Sequence, residues 1–210
     1  MVYLPIGMKS KTAAKQPGRP RAFDPDTALE RAMHVFWAKG YEGASLSDLT
    51  QAMRINRPSL YAAFGNKEQL FRKVLDRYMN GPLAYFGKAL GAAKARDVIE
   101  QIFFGVADMA GDPRAPAGCL VVQGALACGD AAGSVRKEIA ALRAAAKAAL
   151  RRRLQRAKRE GDLPKKADPT ELSHYVMTVL HGMAVQGADG ASRDQLRRVA
   201  QVALRAWPKR

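Results

Sequence analysis

Apolar residues recur along this chain at three- and four-residue spacing, the period of an amphipathic helix. Leu29, Ala32, Met33, Phe36 and Trp37 form the first stripe. Asp24 can cap that helix, Pro25 is preorganised for its first position, and Gly40 predicts its end as a left-handed cap. Ser45 predicts the next start, because Asp48 stands three residues on as an aspartate version of the capping box. Leu46, Leu49, Ala52 and Met53 then turn inward. Asn56 caps a third helix through Leu60, Tyr61 and Phe64, early enough for Pro58 to be tolerated. Gly65-Asn66 breaks it. Asn66 caps a fourth helix, with Leu70, Phe71, Val74, Leu75 and Tyr78 on its buried face and Gly81-Pro82 at its end.

The remainder reads as longer helices with glycine or proline at the joints. Val98, Ile99, Ile102, Phe103 and Val106 make one stripe, ended near Gly111-Asp112-Pro113. A segment through Leu120 and Leu126 ends near Gly129. A long helix is expected from about Ala131 to Glu160, with Val135, Ile139, Leu142, Ala146 and Leu150 on one face. Asp168-Pro169 starts another, with Leu172, Val176, Val179, Leu180 and Met183 inward, and the last spans Ser192 to Trp207. No stretch alternates at period two and no repeat occurs. The expected fold is all-α with about nine helices. It divides into an arm (1–22), a three-helix unit with its connecting helix (23–80) and a helical body (81–210).

Charge changes the picture. Thirty-five Lys and Arg against 19 Asp and Glu give +16, which favours a polyanionic partner, most commonly nucleic acid, although anionic membranes and solubility also explain such a balance. Lys9, Lys11, Lys15, Arg19 and Arg21 lie in the first 22 residues without an acid, in a stretch that reads as a flexible basic arm. A second basic cluster spans 143–166 and leaves three readings open: a solvated helix face, an accessory DNA contact, or a membrane-facing surface. Apolar residues at 48% and charged residues at 26% fit a globular chain. No window approaches 18 uncharged apolar residues, so no membrane span is expected. The first residues do not read as a secretory signal, and two cysteines do not make a disulfide framework. The expected location is the cytoplasm.

Two short helices joined by a tight turn and packed on a longer first helix form a helix-turn-helix, whose last helix fits the DNA major groove. Ser45 to Phe64 fits this arrangement. Met53, Ile55, Leu60 and Phe64 are the expected core, and Arg54, Arg57, Ser59, Tyr61, Ala62 and Ala63 the outer faces. A helix beginning at Asn56 also points free amides outward, toward phosphate. Residues 18–78 carry FWAKGYEGASLSDLTQAM and NRPSLYAAFGNKEQLF. In these motifs Gly40-Tyr41, Ser45-Leu46, Leu60-Tyr61, Phe64 and Lys67-Glu68 resemble the TetR family of bacterial transcriptional regulators. That resemblance implies phosphate contacts from Ser45, Thr50, Tyr61 and Lys67. It implies base-edge contacts from Arg57 and Ser59, with Ala62 and Ala63 beside them. Pro58 departs from the glycine or small residue more usual in the family, and the two alanines offer only methyl contacts. For Arg57 the alternative is a phosphate contact or a solvated side chain. Arg19 and Arg21, in Gly18-Arg19-Pro20-Arg21, could lie in a minor groove or belong to a solubilising tail.

The resemblance also implies a homodimer through the last two helices. Val176, Val179, Leu180 and Met183 on one, and Leu196, Val199, Ala200, Ala203, Leu204 and Trp207 on the other, suit such a bundle. It further implies an unidentified small-molecule effector in the body, bound more tightly in the arrangement that cannot hold DNA. Candidate lining residues are Phe103, Phe104, Met109, Leu120 and Met177, with His174, Tyr175 and His181 as polar candidates. Ala117-Gly118-Cys119-Leu120 resembles the branch that contains the N-ethylmaleimide reductase regulator, some members of which sense electrophiles through cysteine. A thiolate at a helix N-terminus would be stabilised, whereas a buried cysteine is ordinarily a small hydrophobe. Cys128 lies about 13 Å along a straight helix from Cys119, too far to pair.

No metal spacing and no cofactor motif occurs. The expected function is a sequence-specific DNA-binding regulator, a repressor released from a near-palindromic operator by a small molecule or a thiol-reactive signal. The alternatives are an architectural DNA-binding protein and a helical enzyme without a recognisable motif.

Overall fold

A computed structural model describes residues 23–110, 112, 115–125, 129 and 132–208. The basic arm with Arg19 and Arg21, and Gly111, Pro113, Leu126, Cys128 and Ala131, lie outside the described residues. Among the described residues ten helices form: α1 (Pro25–Gly43), α2 (Leu46–Met53), α3 (Arg57–Phe64), α4 (Lys67–Asn80), α5 (Ala84–Ala89), α6 (Ala95–Ala110), α7 (Leu120–Gln123), α8 (Gly133–Arg159), α9 (Pro169–Ala188) and α10 (Arg193–Arg205). Among the described residues no strand occurs, and no helix is long and apolar enough to cross a membrane. The helix beyond the expected nine is α5. Its six residues complete fewer than two turns, too few for a periodic stripe to stand out.

The N-terminal caps are those the sequence expects, whereas Gly40 does not end α1. The Asp24 carboxylate accepts from the backbone N–H groups of Asp26 and Thr27, and Pro25 opens α1. Asn66 and Ser192 close capping boxes with Gln69 and Gln195. Gly40 takes φ 68° and ψ 178°, a conformation close to glycine-only, and α1 kinks there before a last turn to Gly43.

Helices α1, α2 and α4 pack around fully buried Phe36, Leu49 and Phe71. The Phe36 and Phe71 rings meet edge to face at 4.9 Å, and Tyr41 adds a second such contact to Phe71 at 5.1 Å. In the body, α8 lies along α9, and α6 packs on α5, α9 and α10. Tyr78 joins the two regions. Its ring meets Trp37 at 4.8 Å, and its hydroxyl accepts from the Leu120 N–H at 3.3 Å.

Candidate nucleic-acid interface

The surface that can meet DNA is built by α2, the turn after it and α3. Ser45 caps α2 by accepting from the Asp48 N–H at 3.0 Å, and Asp48 returns the bond from the Ser45 N–H at 3.0 Å. Arg54 ends α2 in the left-handed region, φ 57° and ψ 43°, and its N–H reaches back to the Gln51 carbonyl. A non-glycine residue is strained there, and the sequence carries no sign of it. Asn56 then accepts from the Ser59 N–H at 2.8 Å and starts α3. Leu60 and Phe64 point into the core, while Arg57, Pro58, Tyr61 and Ala62 share an exposed face. Tyr61 is 48% exposed, a large aromatic left facing solvent.

Around this face several polar groups are already engaged. Arg57 donates from Nη2 to the Ser47 hydroxyl at 3.3 Å, which ties the first turn of α3 to α2. Ser47 was not among the expected residues, because a contact across ten positions and a turn leaves no local signal. The Ser45 hydroxyl donates to Asp48 at 2.7 Å and the Thr50 hydroxyl to the Leu46 carbonyl at 2.9 Å. A phosphate reaching either hydroxyl therefore competes with the helix. Lys39 bonds Asp48 at 2.6 Å, and together with the Ser45 bonds holds that carboxyl well below its usual range. Lys67, at the first position of α4, lies with its ammonium 4.7 Å from the Tyr41 ring centroid. Arg57, Tyr61 and Ala62 are thus side chains of one exposed α3 face, with half-buried Ser59 beside them.

Comparison with known proteins agrees with this geometry. The family described as "Bacterial regulatory proteins, tetR family" matches residues 28–74, and "Tetracyclin repressor-like, C-terminal domain" matches residues 96–203. The chain belongs to the TetR family. The Escherichia coli (strain K12) HTH-type transcriptional repressor ComR is 33% identical over 197 residues, 93% of this chain and 94% of that protein. The TetR family transcriptional regulator CifR, solved as a cysteine mutant with 26-base-pair double-strand operator DNA, is 45% identical. It superposes with a TM-score of 0.87 over 90% of this chain and 100% of that one. The reduced form of E. coli NemR shares the fold, with a TM-score of 0.65 at 19% identity over 88% and 98% of the two chains. As a TetR-family member the chain is a sequence-specific DNA-binding transcriptional regulator of a non-catalytic family, and DNA binding and dimerisation accompany the fold. The enzyme and architectural alternatives fall away.

In this TetR-family body, only part of the expected ligand set converges. Cys119, Met177 and His181 line one cavity of about 610 Å³ between the end of α4, α5, α7, α8 and α9. The other candidates do not line this cavity. Phe103 and Leu120 are fully buried core, fixed by packing on all sides. Phe104 lies under the Arg197 guanidinium, 4.4 Å from its ring centroid, at a different surface. Met109 meets the Tyr78 hydroxyl at 3.6 Å, and His174 stands exposed on α9. The sequence missed Leu83, Phe86, Arg143 and Arg152 as cavity walls. An apolar stripe on α8 reads equally well as packed core, and α5 shows no stripe at all.

Cys119 immediately precedes α7, but burial pushes its thiol up. The hydrogen bond from Tyr78 at 3.4 Å, the N–H groups of Val122 and Val121 and the charge of Arg143 oppose that without cancelling it. The basic run is also mixed. Arg151, Arg156, Lys158 and Arg159 are solvated, whereas Arg153 is buried and donates to the Ala92 and Ala93 carbonyls at 2.7 and 2.9 Å. A larger cleft of about 960 Å³ lies between α1 and α4, where Arg77 pairs with Asp26 and Glu30.

Proposed function

We propose that this TetR-family regulator is a repressor that holds a near-palindromic operator as a homodimer and releases it when a small molecule enters the body cavity. The observation that carries the reading is the exposed α3 face of Arg57, Tyr61 and Ala62, braced by the Arg57–Ser47 hydrogen bond. Arg57 reads a base edge from it, and Tyr61 and Lys67 hold phosphates, with Ser45, Ser59 and Thr50 as neighbours. Residues 23–80 form the DNA-binding unit with its connecting helix, and 81–210 form the ligand-binding and dimerisation domain. Arg19 and Arg21 of the arm add a minor-groove contact.

The dimer forms through α9 and α10. Val185, Val199 and Val202 are exposed there, and Val202 is 60% accessible in the single chain. Such an apolar surface suits a partner more than water. The name of ComR as a repressor and the operator complex of CifR support repression at an operator. The site of action is the cytoplasm, where the DNA is. Cys119 lines the cavity, but its raised thiol favours non-covalent binding over a thiol-reactive signal.

A footprint on the DNA flanking the protein's own gene, at about 0.15 M salt with excess random competitor, tests this. A protected near-palindrome is expected. No protection there, and no enrichment of a palindrome from a random duplex pool, overturns it.

A further inference from the structure

The body cavity has one-sided chemistry. Its walls are mostly apolar: Met79 at the end of α4, Leu83 and Phe86 around α5, Val122 of α7, Leu142 of α8 and Leu180 of α9. It is open because α8 presents alanines there. Ala145, Ala146 and Ala149 are too short to fill the space that a leucine would occupy. The charged residues at its edge all carry one sign. Lys88, Arg143 and Arg152 line it, and among the described residues of the lining there is no Asp or Glu.

Arg143 is held in place, with Nη1 donating to the Val121 carbonyl at 2.9 Å. That bond uses one of its five N–H donors. His181, half-buried beside it, is kept below the usual imidazole value by burial and then by Arg143 and Lys147. At neutral pH it therefore offers an uncharged donor and acceptor rather than another cation. Half-buried Arg143 therefore attracts an anion and repels a cation in a setting less polar than water, and exposed Lys88 and Arg152 add the same sign at the rim. The apolar walls require the rest of the ligand to be hydrocarbon.

We propose that the cavity binds an amphipathic organic anion, a carboxylate on an alkyl or aryl skeleton, with its hydrocarbon among Leu83, Phe86, Leu142 and Leu180 and its carboxylate at Arg143, while Arg152, about 13 Å further along α8, adds positive charge at the rim. This names the chemical class of the effector and rests on the reading of the cavity as the ligand site. A guanidinium suits a carboxylate because two of its N–H groups match the two oxygens.

The test is calorimetric titration of the full chain with two matched sets: decanoate, decanol and decylamine, then 2-naphthoate and 2-naphthol. At least one carboxylate is expected to bind about tenfold or more tightly than its neutral counterpart, with decylamine weakest. In the Arg143→Met/Arg152→Met double variant that advantage should fall to near unity while the alcohol affinities stay unchanged. Ala146→Trp, which fills the cavity, should abolish binding of every compound. A carboxylate no tighter than its alcohol, a preference for the amine, or undiminished binding to a folded Ala146→Trp protein overturns the assignment. Operator retention is measured in the same titrations. Carboxylate binding that leaves the operator complex intact supports this assignment and removes the cavity from release. Operator protection without any carboxylate binding leaves the regulator standing and overturns the ligand class.

Discussion

Asp48 gathers three side-chain and backbone donors at the start of α2: the Ser45 N–H, the Ser45 hydroxyl and the Lys39 ammonium. Its folded carboxyl is held below the value of the unfolded chain, first by Lys39 and then by Ser45. The stabilisation is therefore present above about pH 4 and is lost as pH falls below the unfolded value toward the folded one. Asp48→Asn should lower the melting temperature at pH 7, with the gap from the parent closing progressively as pH falls below about 4. A gap that stays constant with pH would remove the charge from the explanation. Arg57 is a second residue-level case. Arg57→Ala should narrow discrimination between operator and random DNA by about tenfold, the scale of one bidentate base contact. Equal weakening on both DNAs would make it a phosphate contact.

Gly40 acts on whole elements. Its backbone conformation kinks α1 and turns the next residue toward α7, where the Tyr41 N–H donates to the Gly124 carbonyl at 2.8 Å. A Cβ at Gly40 would come to 3.4 Å from that same carbonyl oxygen, tolerable in space but not in torsion. Gly40→Ala should cost about 1–3 kcal/mol, read as an earlier urea midpoint. An unchanged midpoint would mean that the kink relaxes without loss. The same junction carries the Trp37 indole bond to the Gly118 carbonyl at 3.2 Å and the Glu42 bond to the Gly129 N–H at 2.8 Å. The end of α1 is therefore fastened to the segment that bears Cys119, Val121 and Val122 of the cavity.

For the whole molecule, the decisive property is two-fold assembly. Val202 stands on α10 among Tyr175, Val179 and Val199, apolar groups around a shallow surface cavity. Val202→Asp should convert the dimer to a monomer by light scattering and weaken operator binding by about tenfold or more, because two half-sites no longer bind as one unit. A variant that remains dimeric would move the interface off this face.

Helix starts were legible because their determinants are local. Asp24, Ser45, Asn56, Asn66, Asp168 and Ser192 each accept from an amide two or three residues on, so the cap is written within one turn. The helix-turn-helix was legible for the same reason, as two caps and two apolar stripes at short range. The strained Arg54, the bond from Arg57 to Ser47 and the fastening of Trp37 to Gly118 were not. Each is fixed by what lies across a turn or in another helix. The cavity is the clearest case. Leu142 and Ala146 have the periodicity of core residues, and the sequence fixes only that this face of α8 is apolar. Whether an apolar face meets a neighbour or a void depends on the lengths of side chains on α5, α7 and α9, which tertiary packing alone brings opposite it.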